Sequence, residues 1–301
     1  MRGTPPHSRA LISICVLMAA ACPQPSTAQE TSLERGRYLV ETVAFCGVCH
    51  NTPDANRKMI PGMELAGGRV IALDDMRTVL PDIPPGDIRA VAPNITPDPE
   101  TGIGRWTDAQ IAIAIREGRR PDGSIIGPPM PMALYRGLSD HDLTAIVTYL
   151  RTVPPKHNAV TQHSTYPVPI EPYGPPIDHV ADPADNPVAR GAYIAGPLAH
   201  CMDCHTPVLS LVQRDWSRMG AGGVPFAGPW GIAVASNITP DKHGGIGDWT
   251  DDQIRDALTR GIAPDGRHLL PPMGGRAPIY SRITAGDMHD LIAYLRSLPA
   301  Q

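Results

Sequence analysis

The strongest constraint on the fold of this chain is a five-residue motif that occurs twice. The sequence reads CGVCH at residues 46–50 and CMDCH at residues 201–205. Two thiols at this spacing can each form a thioether bond to one edge of a porphyrin, and the histidine that follows can bind the iron. The repeated motif therefore predicts two covalently bound haem c groups. The predicted attachment residues are Cys46, Cys49 and His50 in the first motif and Cys201, Cys204 and His205 in the second.

Two other uses of paired cysteines are open at this point. A redox-active C-x-x-C motif belongs beside a βαβ pattern, which this sequence does not contain. A structural zinc ion needs four ligands in a closed tetrahedral arrangement. A histidine directly after the second cysteine is poorly placed to share one ion with it, so haem attachment is the better interpretation.

Composition narrows the class of protein. A length of 301 residues allows about two domains. The net charge of −4 argues against a protein that binds nucleic acid. Only 2 Phe residues and 5% aromatic residues would be few for two ordinary hydrophobic cores. A domain that folds around a porphyrin needs fewer, because the haem supplies buried apolar surface.

The first 28 residues are predicted to be a signal peptide. Arg2 and Arg9 precede or border an apolar stretch, residues 10–21, that is too short to span a bilayer. Residues 26–28 (STA) form a small-x-small cleavage site. The alternative is lipoprotein processing at Cys22. Cleavage after Ala28 leaves four cysteines, all used for haem, in a protein exported to the periplasm. No later stretch is apolar enough to cross a membrane.

The chain repeats itself around and beyond the two motifs. The repeat predicts two tandem domains, at residues 29–152 and 188–301, joined by a proline-rich linker at residues 153–187. We expect the linker to be extended and to lie along the domains, anchored by Tyr166, Ile170, Tyr173 and Ile177. The matched segments are residues 35–39 and 190–194, NITPD at 94–98 and 237–241, WTD at 106–108 and 249–251, PPM at 128–130 and 271–273, and YLR at 149–151 and 294–296.

Each copy is predicted to be all-α, with three short helices and irregular loops around a haem. The first helix runs into the C-x-x-C-H motif and contains a glycine that indicates a close helix crossing. The second begins at a threonine with a capping-box spacing and ends at a glycine. The third has apolar residues at i, i+3, i+4 and i+7. The marker residues are Gly36 and Gly191, Thr107 and Thr250, Gly118 and Gly261, Ser139 and Thr284, and Pro154 and Pro299.

The sixth iron ligand decides the chemistry. Met130 and Met273 stand at matched positions, each after two prolines and on a predicted loop between the second and third helices. Methionine ligation raises the reduction potential and is usual in electron-carrying cytochromes. Met132 is a competitor without a counterpart in the second copy. The remaining histidines, among them His200, are interpreted as surface residues, and Arg151 and Arg296 as candidate partners of haem propionates.

These residues resemble a known family. Each copy resembles a class I cytochrome c domain. The N-I-T-P-D, G-I-G and W-T segments are similar to those of the multi-haem cytochrome c subunits of bacterial periplasmic dehydrogenases, which oxidise alcohol, gluconate or sorbitol. This resemblance covers residues 33–298. The resemblance implies that His50 and Met130 are the axial ligands of the first haem, and His205 and Met273 those of the second.

The expected function is single-electron transfer rather than catalysis. The protein would accept electrons from a periplasmic dehydrogenase and pass them to a cytochrome or terminal oxidase of a respiratory chain, as a free carrier or as a permanent dehydrogenase subunit. The alternative is a di-haem enzyme, either a peroxidase or a thiosulfate-oxidising cytochrome. Such an enzyme would need one haem with an open or unusual sixth position.

Overall fold

Six of the ten α-helices in the described part of the chain begin at a residue whose side chain caps them. The computed structural model describes Met1, Gly3 and residues 30–301. The predicted cleavage site and Cys22 lie outside the described residues. The α-helices of the described part are α1 (Ser32–Tyr38), α2 (Gly47–His50), α3 (Asp108–Glu117), α4 (Met132–Tyr135), α5 (Asp140–Thr152), α6 (Pro187–Tyr193), α7 (Cys201–Cys204), α8 (Asp251–Arg260), α9 (Met273–Tyr280) and α10 (Ala285–Ser297).

Capping explains the bounds of the matched helices α3 and α8. The hydroxyls of Thr107 and Thr250 accept hydrogen bonds from the backbone three residues later, and a glutamine returns each bond to complete a capping box. Both helices end at a glycine in the left-handed region, Gly118 at φ 70° and Gly261 at φ 66°. The predicted bounds are confirmed. The predicted N-caps of α5 and α10, Ser139 and Thr284, are confirmed as well.

The first helix of each copy is longer and less regular than a simple α-helix. α1 continues into a π-helical turn, Leu39–Val43, and α6 continues into a second, Ile194–Leu198. Two or three residues separate each turn from the short helix of the C-x-x-C-H motif, α2 or α7. The prediction that a helix runs into each C-x-x-C-H motif is confirmed, with a change of helix type along the way.

The protein is mostly helical but also contains two small sheets. β1 (Val70–Ala72) pairs antiparallel with β2 (Arg89–Val91), and β3 (Pro225–Gly228) pairs antiparallel with β4 (Gly231–Val234). The all-α prediction therefore needs a correction. Strands of three or four residues are too short to produce a detectable alternation of polar and apolar residues.

The first and third helices of each copy cross at a glycine. A Cβ atom on Gly36 of α1 would lie 1.9 Å from the carbonyl oxygen of Ala145 in α5. A Cβ atom on Gly191 of α6 would lie 1.9 Å from the carbonyl oxygen of Asp290 in α10. Only glycine permits backbones to approach this closely, so the predicted close crossings are confirmed.

One hydrophobic core connects the two copies. Leu39 and Leu143 of the first copy belong to the same buried cluster as Leu198 and Leu291 of the second. Thr31–Gln301 form one compact unit. The division into two tandem domains stays a prediction, and we call residues 31–152 the first half and residues 187–301 the second half. Within the described part of the chain, no helix combines the length and apolar character needed to cross a bilayer.

The connecting segment (residues 153–186) lies along the first half. Thr165 of this segment forms an isolated antiparallel β-bridge with Arg89. The hydroxyl groups of Tyr166 and Tyr173 donate to backbone carbonyls of the first half at 2.6 Å and 3.0 Å. The predicted path and these two anchors are confirmed. Pro187, the last residue of the predicted linker, is the first residue of α6.

Candidate haem sites

The four cysteines of the two motifs are free thiols in apolar surroundings. None is in a disulfide, and each is half-buried. Burial raises the pKa of Cys46 and of Cys201 to about 12, with a further increase from the second thiol of each motif. The pKa of Cys204 is raised to about 11, mainly by burial. Such thiols stay protonated at neutral pH, whereas the attacking cysteine of a redox-active pair is a thiolate.

The histidine of each motif is oriented by one hydrogen bond to the backbone. The Nδ1 atom of His50 lies 2.9 Å from the carbonyl oxygen of Pro93, and that of His205 lies 2.7 Å from the carbonyl oxygen of Ser236. Because a carbonyl can only accept, Nδ1 carries the proton. Burial lowers the pKa of both imidazoles and keeps them neutral. The Nε2 lone pair is then free for an iron, the arrangement expected of a ligating histidine.

The N-I-T-P-D segments hold these carbonyl groups in place. The Oδ1 atom of Asn94 accepts hydrogen bonds from the backbone nitrogen and the hydroxyl of Thr96, at 2.9 Å and 2.8 Å. Asn237 makes the same two bonds with Thr239, at 2.8 Å and 2.7 Å. The orienting carbonyl belongs to the residue directly before each asparagine. Sequence reasoning identified the repeated segment but missed its role, since the carbonyl is 43 residues from the first histidine.

The two candidate methionine ligands stand in different local structure. Met130 is half-buried in the loop before α4 and packs against the core cluster. Met273 is also half-buried, but it is the first residue of α9. The prediction that both lie on a loop is therefore wrong for Met273. Gly274 and Gly275 are a two-residue insertion relative to the first copy, and both lie within α9. Met132 is only 1% exposed and fills the core.

The residues directly before the two motifs meet between the halves. Phe45 precedes Cys46, and His200 precedes Cys201. Their ring centroids are 4.7 Å apart. The prediction that His200 is a surface residue is wrong, because its ring also contacts Tyr135 and burial lowers its pKa to about 3. Sequence reasoning missed this pair because it compared residue types, whereas Phe45 and His200 share a repeat position.

A half-buried cation lies at the same contact. The guanidinium of Arg276 is 5.0 Å from the centre of the Phe45 ring. Its charge acts on the thiols of both motifs and partly offsets the effect of burial on the pKa of Cys49 and of Cys204. The Nε atom of Arg276 is buried without a hydrogen-bond partner among the described residues. This arginine therefore places a positive charge between the two candidate sites.

Two reciprocal hydrogen bonds fix the halves relative to each other. The hydroxyl of Tyr38 in α1 donates to Asp287 in α10 at 2.7 Å, and that of Tyr193 in α6 donates to Asp142 in α5 at 3.0 Å. Each hydroxyl also accepts from the backbone nitrogen of the N-cap of the helix that it contacts. Because Tyr38 and Tyr193 occupy matched positions, each half binds the other through the same arrangement of tyrosine hydrogen bonds.

The repeat-matched arginines Arg151 and Arg296 bind the start of the second helix in their own half. Arg151 contacts Asp108 and the carbonyl oxygen of Trp106, and Arg296 contacts Asp251 and the carbonyl oxygen of Trp249. Both guanidinium groups thus tie the third helix of each half to the start of the second. The role of Arg151 and Arg296 as partners of haem propionates stays a prediction.

The donor sets of the two halves fit a covalently bound haem c. Each half offers two protonated thiols that can become thioethers and a neutral, oriented imidazole. Met130 offers a thioether at the edge of the core. The described residues contain no group of three or more His, Cys, Asp or Glu side chains that could hold a metal ion by themselves. A porphyrin supplies four ligands to its iron, so one histidine and one methionine thioether from each half would complete the coordination.

Proteins of similar sequence are cytochromes. No protein-family model matches the chain. It is 31% identical to a diheme cytochrome c-type protein of Cereibacter sphaeroides over 265 residues, which are 85% of this chain and 82% of that protein. It is also 31% identical to the fructose dehydrogenase cytochrome subunit of Gluconobacter japonicus over 93% of this chain, and to the gluconate 2-dehydrogenase cytochrome c subunit of Pantoea cypripedii over 91%.

The dehydrogenase subunits are longer proteins. The chain spans about half of the fructose dehydrogenase subunit (55%) and somewhat more of the gluconate 2-dehydrogenase subunit (61%). The diheme protein, in contrast, is matched over most of its length. The region common to all three relatives contains both C-x-x-C-H motifs of the present chain.

Proposed function

Since this chain belongs to the di-haem c-type cytochrome family, we propose that it binds two haem c groups covalently and transfers single electrons. The haem supplies the one-electron redox chemistry of its iron, and the polypeptide supplies attachment, ligands and surroundings. Cys46 and Cys49 would hold the first group. Cys201 and Cys204 would hold the second.

The observation that carries the proposal is the matched environment of His50 and His205. Both rings are buried and both donate Nδ1–H to a backbone carbonyl. Neither Nε2 atom has a hydrogen-bond partner among residues 30–301, and each motif also holds two free thiols. Met130 and Met273 would complete six-coordinate irons. Two irons with two protein ligands each have no open position for a substrate, which favours electron transfer over catalysis.

The contact between the halves supports electron exchange between the two groups. The path from one attachment site to the other is short and contains one through-space step. It runs from Cys46 to its neighbour Phe45, crosses to the ring of His200 at a centroid distance of 4.7 Å, and continues to its neighbour Cys201. The shared core and the reciprocal tyrosine bonds keep this distance fixed. An electron that enters either half would thus be delivered to the other without a second encounter.

The relatives suggest the place of this protein in a redox chain. Two of them bear the names of cytochrome subunits of fructose and gluconate dehydrogenases. We propose a dehydrogenase as the electron donor and a cytochrome or terminal oxidase as the acceptor. The predicted leader, residues 1–28, and the chemistry of haem attachment support the periplasm as the site of action.

The proposal is tested by counting haems and electrons in the matured protein. The parent should bind two haems covalently and take up two electrons in a reductive titration. A variant with Cys201→Ala and Cys204→Ala should keep one haem and take up one electron. A parent that takes up two electrons but also turns over hydrogen peroxide or thiosulfate would contradict the carrier and favour the enzyme.

A further inference from the structure

The first ligand loop cannot hold itself in place with its own backbone. The loop consists of residues 126–131, with the sequence IGPPMP. Half of its residues are prolines, which have no backbone N–H to donate. It is tied at its start, where Ile126 donates to the carbonyl oxygen of Gly118 at 2.7 Å, and at its end, where Met132 donates to that of Met130 at 2.8 Å. The stretch between these bonds must be anchored from outside.

The connecting segment supplies that anchor. The hydroxyl of Tyr166 donates to the carbonyl oxygen of Pro128 at 2.6 Å, and that of Tyr173 donates to the carbonyl oxygen of Ile126 at 3.0 Å. The Tyr166 ring lies directly on Gly127, where an added Cβ would be 2.6 Å from a ring carbon. Two hydroxyls and one ring face therefore fix the backbone that immediately precedes Met130.

The tyrosines are themselves held firmly. Near Tyr166, Thr165 exchanges two backbone hydrogen bonds with Arg89 of β2, at 2.9 Å and 3.0 Å. Near Tyr173, the carbonyl oxygen of Pro175 accepts from the guanidinium of Arg136 at 2.7 Å. The segment is thus fastened to the first half on both sides of the loop.

The second half fixes its methionine differently. Met273 is part of α9, and Gly274 donates to the carbonyl oxygen of Leu270 at 3.1 Å, so the helix itself anchors the loop. In the first half, α4 begins only at Met132, two residues after Met130. The backbone near Met130 is thus held by tyrosine hydroxyl groups, whereas the backbone near Met273 is held by helical hydrogen bonds.

We propose that Tyr166 and Tyr173 are positioning residues that hold Met130 in place as the sixth ligand of the first haem. The inference rests on the proposed ligation by Met130. In this role the connecting segment is part of the first site, because it limits how often the thioether leaves the iron. Removing one hydroxyl should make loop opening about fivefold more frequent, the change expected from the loss of one hydrogen bond worth about 1 kcal/mol.

The test measures how fast imidazole binds to the ferric holoprotein, since an added ligand can enter only when methionine leaves. Tyr166→Phe and Tyr173→Phe should each accelerate about half of the absorbance change about fivefold and leave the other half at the parental rate. Tyr149→Phe is the matched control. Its hydroxyl donates to Glu41, away from the loop, and both halves of the signal should keep the parental rate.

A fourth variant assigns the signals. Met130→His should abolish half of the thioether–ferric absorption band and remove the phase that the tyrosine variants accelerate. If it does so while both tyrosine variants bind imidazole at the parental rate, the positioning role is refuted and the ligation stands. Equal acceleration at both haems would also refute it, because the hydroxyls would then stabilise the whole fold. If Met130→His leaves the band intact, the proposed ligation itself fails.

Discussion

A single methyl group at the crossing of α1 and α5 should destabilise the protein measurably. In Gly36→Ala, the new Cβ would lie 1.9 Å from the carbonyl oxygen of Ala145 and 2.6 Å from its carbon. These atoms belong to a helix backbone and cannot rotate away, so α1 must move by about 1 Å or more. Overpacking of this kind costs up to about 3 kcal/mol. Alanine regains about 1 kcal/mol of helix propensity over glycine, which leaves a net destabilisation of about 2 kcal/mol.

The assay is denaturant unfolding of the holoprotein followed by circular dichroism. Gly191→Ala should behave like Gly36→Ala, since its Cβ would lie 1.9 Å from the carbonyl oxygen of Asp290. Gly275→Ala is the control. This glycine also lies in a helix, α9, but nothing stands within 4 Å of an added Cβ, so the variant should be unchanged or slightly more stable. A Gly36→Ala protein as stable as the parent would refute the close-crossing argument.

Three further outcomes follow from the contacts between and within the halves. Tyr38→Phe and Tyr193→Phe should each lower the free energy of unfolding by about 1 kcal/mol in denaturant titrations; equal stability would mean that the reciprocal bonds do not contribute. Arg190 holds the pKa of Asp290 below its ordinary value. The stabilisation of the fold by this ion pair is complete above the ordinary Asp pKa of about 3.9. It is lost as pH falls through the lowered pKa of Asp290 in the folded protein. Arg190→Gln should remove this acid sensitivity, and an unchanged pH profile of unfolding would contradict it. Arg276→Gln should lower both midpoint potentials in spectroelectrochemistry, because a nearby cation disfavours the oxidised iron, and unchanged potentials would contradict this.

The sequence was most informative where structure depends on neighbouring residues. The bounds of α3 and α8 could be predicted because a threonine cap and its glutamine partner are three residues apart. The glycine at each helix end identified the left-handed cap for the same local reason. The crossings at Gly36 and Gly191 were predictable from a different signal, the cost of a helical glycine, which requires some compensating contact.

Contacts between distant residues could not be predicted from the sequence. The carbonyl that orients His50 belongs to Pro93, and a backbone carbonyl has no sequence signature of its own. The bond between Tyr38 and Asp287 joins residues 249 positions apart. Repeat matching places both tyrosines at equivalent positions, but it does not tell that each one reaches the opposite half.

The misplaced residues have a common physical cause. His200 is predicted to lie on the surface because the first copy has no histidine at the matched position, yet the packing of the two halves places its ring against Phe45. Met273 was assigned to a loop because Met130 is in one, yet two added glycines let α9 begin at Met273. The repeat identifies which positions of the two copies correspond. The surroundings of His200 depend on residues of the other half, and those of Met273 depend on an insertion.

The most direct test of the account is an absorption spectrum of the matured protein, ferric and ferrous, with and without carbon monoxide. Methionine ligation at both irons predicts the thioether–ferric band at the intensity of two haems and almost no response of the ferrous protein to the gas. A carbon monoxide shift in about half of the haem would mean that one iron is open. That result would contradict the carrier and indicate an enzyme, with its reaction centre on the side of His205 and Met273.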